Sequence, residues 1–223
     1  MSFAACVGDC IITYMGTAAA LANQLADGLA AMQLELAPHA QDKLLAFLDL
    51  LAKWNRTYNL TAVRAPEDMV SRHLLDSLAV LPFVHGKSVA DLGSGAGLPG
   101  IPLAIARPDV AVTLVESSGK KARFLREAIR SLPLANVTVA QARVQDTAGA
   151  FDTVTARAFA SLPDMLAWGG HLLAPDGRWL ALKGRADPAE LGAAPNGFRV
   201  VAVRELRVPD TNGERCVIEL ART

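Results

Sequence analysis

Asp91-Leu92-Gly93-Ser94-Gly95-Ala96-Gly97-Leu98-Pro99-Gly100 is the stretch of this chain that decides its fold. It follows a short apolar run, Ser88-Val89-Ala90, and precedes another from Ile101 to Ala106, so it reads as a strand, a glycine-rich turn and a helix start. Three alternating glycines, Gly93, Gly95 and Gly97, remove the Cβ atoms that would hold a ligand off the backbone. The helix start behind them offers unpaired N–H groups to an electron-rich ligand. The carboxylate of Asp91, two residues before the first glycine, makes the turn acidic. An acidic turn suits a ligand with a positive end better than a pyrophosphate.

Strand and helix patterns alternate from this turn to the end of the chain. Val110 to Glu116 reads as a strand and Lys120 to Leu132 as an amphipathic helix; Val137–Ala140 and Thr153–Ala158 read as two further strands. Asp164 to Leu173 reads as a helix, and Trp179–Lys183, Phe198–Leu206 and Cys216–Leu220 as strands. Pro209-Asp210-Thr211-Asn212-Gly213 joins the last two as a hairpin turn. Alternating βα units predict a parallel sheet covered by helices on both faces, with an antiparallel hairpin at its end.

Upstream of the turn, two amphipathic helices are expected. Leu44, Leu45, Phe47, Leu48, Leu51 and Ala52 form the face of one, ending at Trp54. The other starts at Pro66 and carries Met69, Val70, Leu74, Leu75, Leu78 and Ala79. Residues 1–32 show no clear pattern and read as a weakly ordered extension, residues 33–84 as a helical cap and residues 85–223 as the main domain, compact with the cap. The first thirty residues contain no Lys or Arg, so the basic start of a signal peptide is missing. No window is long and apolar enough for a membrane span.

A chain of 223 residues with 52% hydrophobic and 20% charged residues holds one well-packed domain. Its formal net charge of +0 argues against a histone-like electrostatic binder, while leaving room for a local basic face. Three cysteines, with Cys6 and Cys10 lacking partner ligands, fit a reducing cytoplasm and no metal site.

Gly95 and Gly100 form a weak G-x-G-x-x-G, so glycine spacing alone does not separate dinucleotides from other nucleotides. Asp91 does, favouring the ammonium and sulfonium of S-adenosylmethionine. Glu116, at the end of the next strand, is placed to accept both ribose hydroxyls of adenosine in either cofactor. Val144 and Gln145, after the third strand, offer backbone groups to adenine. The plainer alternative is that the glycines make a tight turn and Asp91 caps the following helix.

Longer blocks narrow the reading. Lys53-Trp54-Asn55-Arg56-Thr57-Tyr58-Asn59-Leu60-Thr61, Arg72-His73-Leu74-Leu75-Asp76-Ser77 and Leu98-Pro99-Gly100-Ile101-Pro102-Leu103 carry a specific resemblance. So do Gly119-Lys120-Lys121 with Arg123-Phe124-Leu125, Arg157-Ala158-Phe159-Ala160-Ser161-Leu162, Ala181-Leu182-Lys183-Gly184 and Gly213-Glu214-Arg215. In these blocks the chain resembles the bacterial small-subunit ribosomal RNA guanine-N7 methyltransferases, formerly called glucose-inhibited division protein B. Family members begin near residue 20 here, and an acidic residue often found in them is Gln145 in this chain.

That resemblance implies a class I, Rossmann-like methyltransferase of α/β fold with a seven-stranded, mostly parallel sheet. It implies methyl transfer from S-adenosylmethionine to a guanine N7 of 16S ribosomal RNA near the decoding site, in free RNA or in the 30S subunit. Cofactor contacts are then expected at Gly93, Leu98, Val144, Gln145 and Arg157, beside Asp91, Gly95, Gly97 and Glu116. Because N7 carries a lone pair and no proton, no acid–base pair is needed; positioning falls to Arg143, Arg157 and Asn59. Arg143, Lys183, Arg185 and Arg215 are the expected RNA contacts, with Lys120 and Lys121 at the head of a basic helix. His73 and Asp76 share a helix face and read as making a structural hydrogen bond that fixes the helix against the cofactor turn. A monomer in the cytoplasm is expected. The alternatives are a methyltransferase acting on protein or a small molecule, a non-catalytic ribosome-assembly factor and, last, a dinucleotide oxidoreductase.

Overall fold

The computed structural model describes residues 5–157, 160–192 and 197–223, with side chains from residue 18 onward. Ala158, Phe159 and the side chains of Cys6 and Cys10 lie outside the described residues. Seven strands form one sheet: β1 (Ser88–Leu92), β2 (Ala111–Val115), β3 (Val137–Ala140), β4 (Phe151–Arg157), β5 (Leu173–Lys183), β6 (Phe198–Glu205) and β7 (Cys216–Arg222). Their order is β3-β2-β1-β4-β5-β7-β6. The first five run parallel, and β7 pairs antiparallel with both β5 and β6. Strand order therefore reverses between β1 and β4, and ligands of open α/β sheets bind in the crevice at such a point.

The helices are α1 (Ala5–Ala31), α2 (Pro38–Tyr58), α3 (Pro66–Met69), α4 (Asp76–Leu78), α5 (Gly100–Ala106), α6 (Gly119–Ser131), α7 (Leu162–Gly169) and α8 (Pro188–Gly192). A π-helical segment, Val70–Leu75, joins α3 to α4, so the single helix expected from Pro66 is widened in its middle. α2 lays Leu44, Phe47, Leu48 and Leu51 into a core shared with α5, α6 and one sheet face. The opposite face packs Leu92, Val154 and Trp179 against Met165 and Leu166 of α7. Trp54 stacks on Tyr58 and meets the Phe124 ring at 5.6 Å, which fastens α2 to α6.

The expected weakly ordered start is corrected. α1 is helical, and Leu21, Leu25 and Leu29, four residues apart, are buried in the first core. Gly28 lets α1 close on the π segment, since a Cβ there would strike the Leu75 side chain. Alanine on every side of α1 lowers the contrast between its faces, which hides the periodicity. Leu25→Ala is expected to destabilise the protein by about 2–5 kcal/mol in urea denaturation, through the cavity it leaves. A loss under half that range would show that α1 is dispensable to the core.

Candidate active site at the carboxyl edge of the sheet

The turn after β1 is built by hydrogen bonds that sequence alone does not reveal. Gly93, Gly95 and Gly97 all have positive φ, at 65°, 58° and 82°. Such φ values strain any residue with a Cβ. The Ser94 amide donates to the carbonyl of Val115 at 3.1 Å, tying the turn to the end of β2. Ser94 Oγ donates to the Asp91 carbonyl at 2.8 Å.

Asp91 is fully buried behind the turn. Its Oδ2 accepts the Gly100 amide at 3.1 Å at the start of α5, while Oδ1 is buried with no hydrogen-bond partner. Burial pushes its carboxyl up to about 7, against the lowering pull of the Gly100 amide and the Ser94 hydroxyl. The plainer reading of Asp91 as a cap is thus built into the turn, yet the orphaned Oδ1 is more than a cap requires. Glu116 Oε2 accepts the Gly95 amide at 2.9 Å and Oε1 the Ser118 amide at 2.8 Å. This carboxylate keeps lone pairs for further donors.

Two cavities open at this edge and share Gly93. One, of about 320 Å³, is walled by Val115, Glu116, Lys121, Arg143, Val144, Gln145 and Trp168. The other, of about 500 Å³, runs under the cap between Leu60, Thr61, His73 and Asp76 on one side and Gly95, Leu98, Arg157, Lys183 and Arg215 on the other. The structure thus gathers Gly93, Gly95, Leu98, Glu116, Val144, Gln145 and Arg157 around two neighbouring spaces, with Asp91 directly behind.

The remaining expected residues are placed differently. Gly97 lies at the back of the turn, where a Cβ would meet Ile101 and Leu125. Asn59 ends α2 in the left-handed conformation and accepts from Arg64 at 3.0 Å; it is exposed and does not line either cavity. Lys183 donates to the Ala160 carbonyl at 3.0 Å and pairs with Glu190. Arg185 is 84% exposed and approaches Glu214 only to 3.7 Å. Lys120 donates to the Tyr58 carbonyl at 2.8 Å, so it joins α6 to the cap, while Lys121 faces the smaller cavity.

Three contributors carried weaker sequence signals. Asn55 sits in line with Phe47, Leu48 and Leu51 on the apolar face of α2 yet is buried. Its amide donates to the Val63 carbonyl at 3.1 Å and its oxygen accepts the Thr61 amide at 2.9 Å. These bonds shape the connector that brings Leu60, Thr61 and Val63 to the larger cavity. A polar residue on an apolar stripe was the available signal. Trp168, in the smaller cavity, had none beyond its residue type. Asp76, at the end of the π segment, ties Arg157 to Arg215.

His73 takes one tautomer. Nδ1 donates to the Arg72 carbonyl at 3.0 Å, and Nε2 accepts the Thr61 hydroxyl at 2.9 Å. Burial, opposed by the bond to Arg72 and reinforced by the nearby Arg157 charge, lowers its pKa to about 4. A lowered histidine value leaves stability whole above about 6.5 and removes it as pH falls toward 4, by up to ~3 kcal/mol. His73→Gln is expected to remove that acid-side loss, read as the change in unfolding free energy between pH 7 and pH 4.5. An unchanged difference between those pH values would place the loss elsewhere.

No group of three or more His, Cys, Asp or Glu among the described residues has the arrangement of a metal site. No described helix is long and apolar enough to cross a membrane.

Comparison with known proteins bears on the family and the fold. The sequence model of the rRNA small subunit methyltransferase G family matches residues 40–218. A ribosomal RNA small subunit methyltransferase G of Xanthomonas campestris is 54% identical over 196 residues, covering 87% of this chain and 92% of that protein. One from Stenotrophomonas maltophilia is 53% identical over 204 residues, covering 90% and 94%. Among solved structures, the magnesium protoporphyrin IX methyltransferase of Synechocystis with bound S-adenosylmethionine aligns at a TM-score of 0.56. It is 22% identical and covers 77% of this chain and 90% of its own. A ribosomal protein L11 methylase from Lactobacillus delbrueckii aligns at 0.51 with 19% identity, covering 67% and 77%. These two carry the shared fold.

Proposed function

The chain belongs to the rRNA small subunit methyltransferase G family and is a S-adenosylmethionine-dependent methyltransferase, and we propose that it methylates N7 of a guanine in 16S ribosomal RNA near the decoding site. The observation that carries the reading is that Gly93 lines both a cavity edged by Glu116 and one edged by Arg157 and Arg215. The residues fit the donor. A buried, half-satisfied carboxylate lies behind the turn, and Glu116 lies on the ribose side. Val144, Gln145 and the Trp168 face suit a flat adenine.

S-adenosylmethionine, when bound, supplies an electrophilic methyl group on a cationic sulfur. Glu116 would accept the ribose hydroxyls, the backbone of Gly93 to Leu98 would carry the amino-acid end, and Asp91 would balance its charge through the turn. Arg157 closes the cavity from β4. Guanine N7 brings its own lone pair and no proton, so no residue of the chain has to act as a base. Arg215, on the larger cavity, holds the base through O6 or the adjoining phosphates, leaving N7 open, and Arg143 stands at the smaller one. Arg185 and the exposed face of α6, with Lys121, follow the RNA backbone, while Lys183 stays paired with Glu190. Lys120 and Asn59 act one step away, fixing the connector between α2 and α3. Residues 33–84 form the cap and residues 85–223 the methyltransferase body; the protein works as a monomer in the cytoplasm, on free 16S RNA or the 30S subunit.

The test is transfer of a labelled methyl group from S-adenosylmethionine to 30S subunits, naked 16S RNA and ribosomal protein, followed by chain cleavage at 7-methylguanine. Label at one guanine of 16S RNA is expected. Label in protein alone, or none from a protein that binds the cofactor, would refute it.

A further inference from the structure

Asp76 joins two arginines at the larger cavity. It is nearly buried, and its two oxygens are divided between two arginines on separate parts of the chain. Oδ2 accepts from Arg157 Nη1 at 2.8 Å, at the end of β4. Oδ1 accepts from Arg215 Nε at 3.2 Å, just before β7. Arg157 Nη1 also reaches the Arg72 carbonyl at 3.3 Å, and Arg215 Nη1 donates to the Glu214 carbonyl at 2.8 Å. All three side chains line the larger cavity. We infer that Asp76 is a positioning residue for methyl transfer, setting the guanidinium groups of Arg157 and Arg215 around the target base.

This positioning role rests on the RNA-methylating function proposed above and adds to it. Two guanidinium groups facing one cavity repel each other, and a cationic donor beside them raises the cost. One shared carboxylate offsets part of that charge and fixes both planes. The bonds engage Arg157 through Nη1 and Arg215 through Nε and Nη1. Arg157 Nε and Nη2, and Arg215 Nη2, have no protein partner among the described residues. Those N–H groups are donors ready for O6 or a phosphate oxygen, and neither contact blocks the N7 lone pair. The π segment makes this possible. Its wider turn brings Arg72, His73 and Asp76 to the cavity together, and such bulges recur at functional sites. Asp76 thereby joins the cap, the parallel sheet and the C-terminal hairpin at the place where the base must sit.

The experiment is a cycle of Asp76→Asn and Arg215→Gln on the full chain. Three quantities are read: single-turnover methylation of the RNA substrate, affinity for S-adenosylhomocysteine by calorimetry, and thermal stability. Asp76→Asn is expected to slow turnover on the order of 100-fold, the penalty of a misplaced reacting geometry, with cofactor-product affinity within about threefold. In the Arg215→Gln background the same change is expected to cost clearly less than in the parent, because one of its two targets is already gone. Multiplying losses, turnover within threefold of the parent, or losses that follow thermal stability would overturn the inference. Should Asp76→Asn fail to fold, Arg215→Gln alone decides: slowed turnover with intact cofactor-product affinity supports it, and normal turnover overturns it. An unmodified protein that does not methylate RNA would instead overturn the functional reading itself.

Discussion

Asp91→Asn is expected to stabilise the ligand-free protein at pH 8 by about 2 kcal/mol while weakening S-adenosylmethionine binding roughly ten- to a hundredfold. The two effects share one cause. Asp91 is fully buried, one oxygen has no partner, and its carboxyl is raised to about 7. A raised carboxyl gives stability that is whole below about 3.8 and is lost as pH climbs through 7. At pH 8 the native state therefore carries a buried charge it would be more stable without. Asparagine keeps the acceptor for the Gly100 amide and removes the charge. Its NH₂ group stays unpartnered where Oδ1 was, which limits the gain to about half of the full shift. A cationic ligand reverses the balance, because it is held by the ionised form. Affinity for S-adenosylmethionine should thus rise with pH toward 7 and above in the parent protein and stay flat in Asp91→Asn. The uncharged sulfur of S-adenosylhomocysteine should feel the substitution less. Unfolding curves at pH 5 and 8, with calorimetric titrations across the same range, are the measurements. Parallel stability and affinity profiles for the two proteins would mean that Asp91 only caps the helix. The window overlaps that of His73, whose lowered value acts with the opposite sign. Each substitution therefore exposes the slope of the other group.

Gly100→Ala is expected to abolish cofactor binding and to cost about 1–3 kcal/mol of stability, the usual penalty for overfilling a packed site. A Cβ at Gly100 would strike the Leu114 side chain and stand 2.7 Å from Asp91 Oδ2 and 3.0 Å from Asp91 Cβ. Asp91 and Leu114 are fully buried strand residues, so a shift of either side chain is made inside the core. The substitution pushes α5 away from β1 and breaks the Gly100–Asp91 bond that shapes the turn. Gly184→Ala is the control: it borders the larger cavity, but its Cβ meets nothing nearer than the Glu214 carbonyl at 3.8 Å. Circular dichroism melts and equilibrium binding compare the two. A Gly100→Ala protein that binds S-adenosylmethionine normally would show that the close approach of α5 to β1 is not needed for the site.

Much of this was legible in the amino-acid order. The turn from Asp91 to Gly100, the strands around it and the C-terminal hairpin carry strong local signals: glycines at left-handed positions, short apolar runs and a polar turn. Glu116 was legible because it ends a strand one βα unit after the turn. Less legible were features set by partners distant in sequence. The burial of Leu21, Leu25 and Leu29 depends on the core of residues 40–80, and alanine-rich α1 gives little contrast of its own. Asn59 looked like a residue aimed at the methyl donor, but its backbone caps α2 and its side chain turns to Arg64. The π turn at Val70–Leu75 leaves the helical periodicity nearly intact, so nothing local announced it.

By itself, then, the sequence determined the fold class, the family and the acidic character of the turn, because each rests on residue types at short fixed spacings. Only the tertiary structure decided how charge is distributed at the site. It placed Asp91 behind the turn rather than in the cavity, divided the cleft into two spaces at Gly93 and set Asp76 between Arg157 and Arg215. These are contacts across 81 and 139 residues of chain, made when the cap and hairpin close over the sheet. Burial and pairing, which set the energy of a charge, exist only once those distant segments have met.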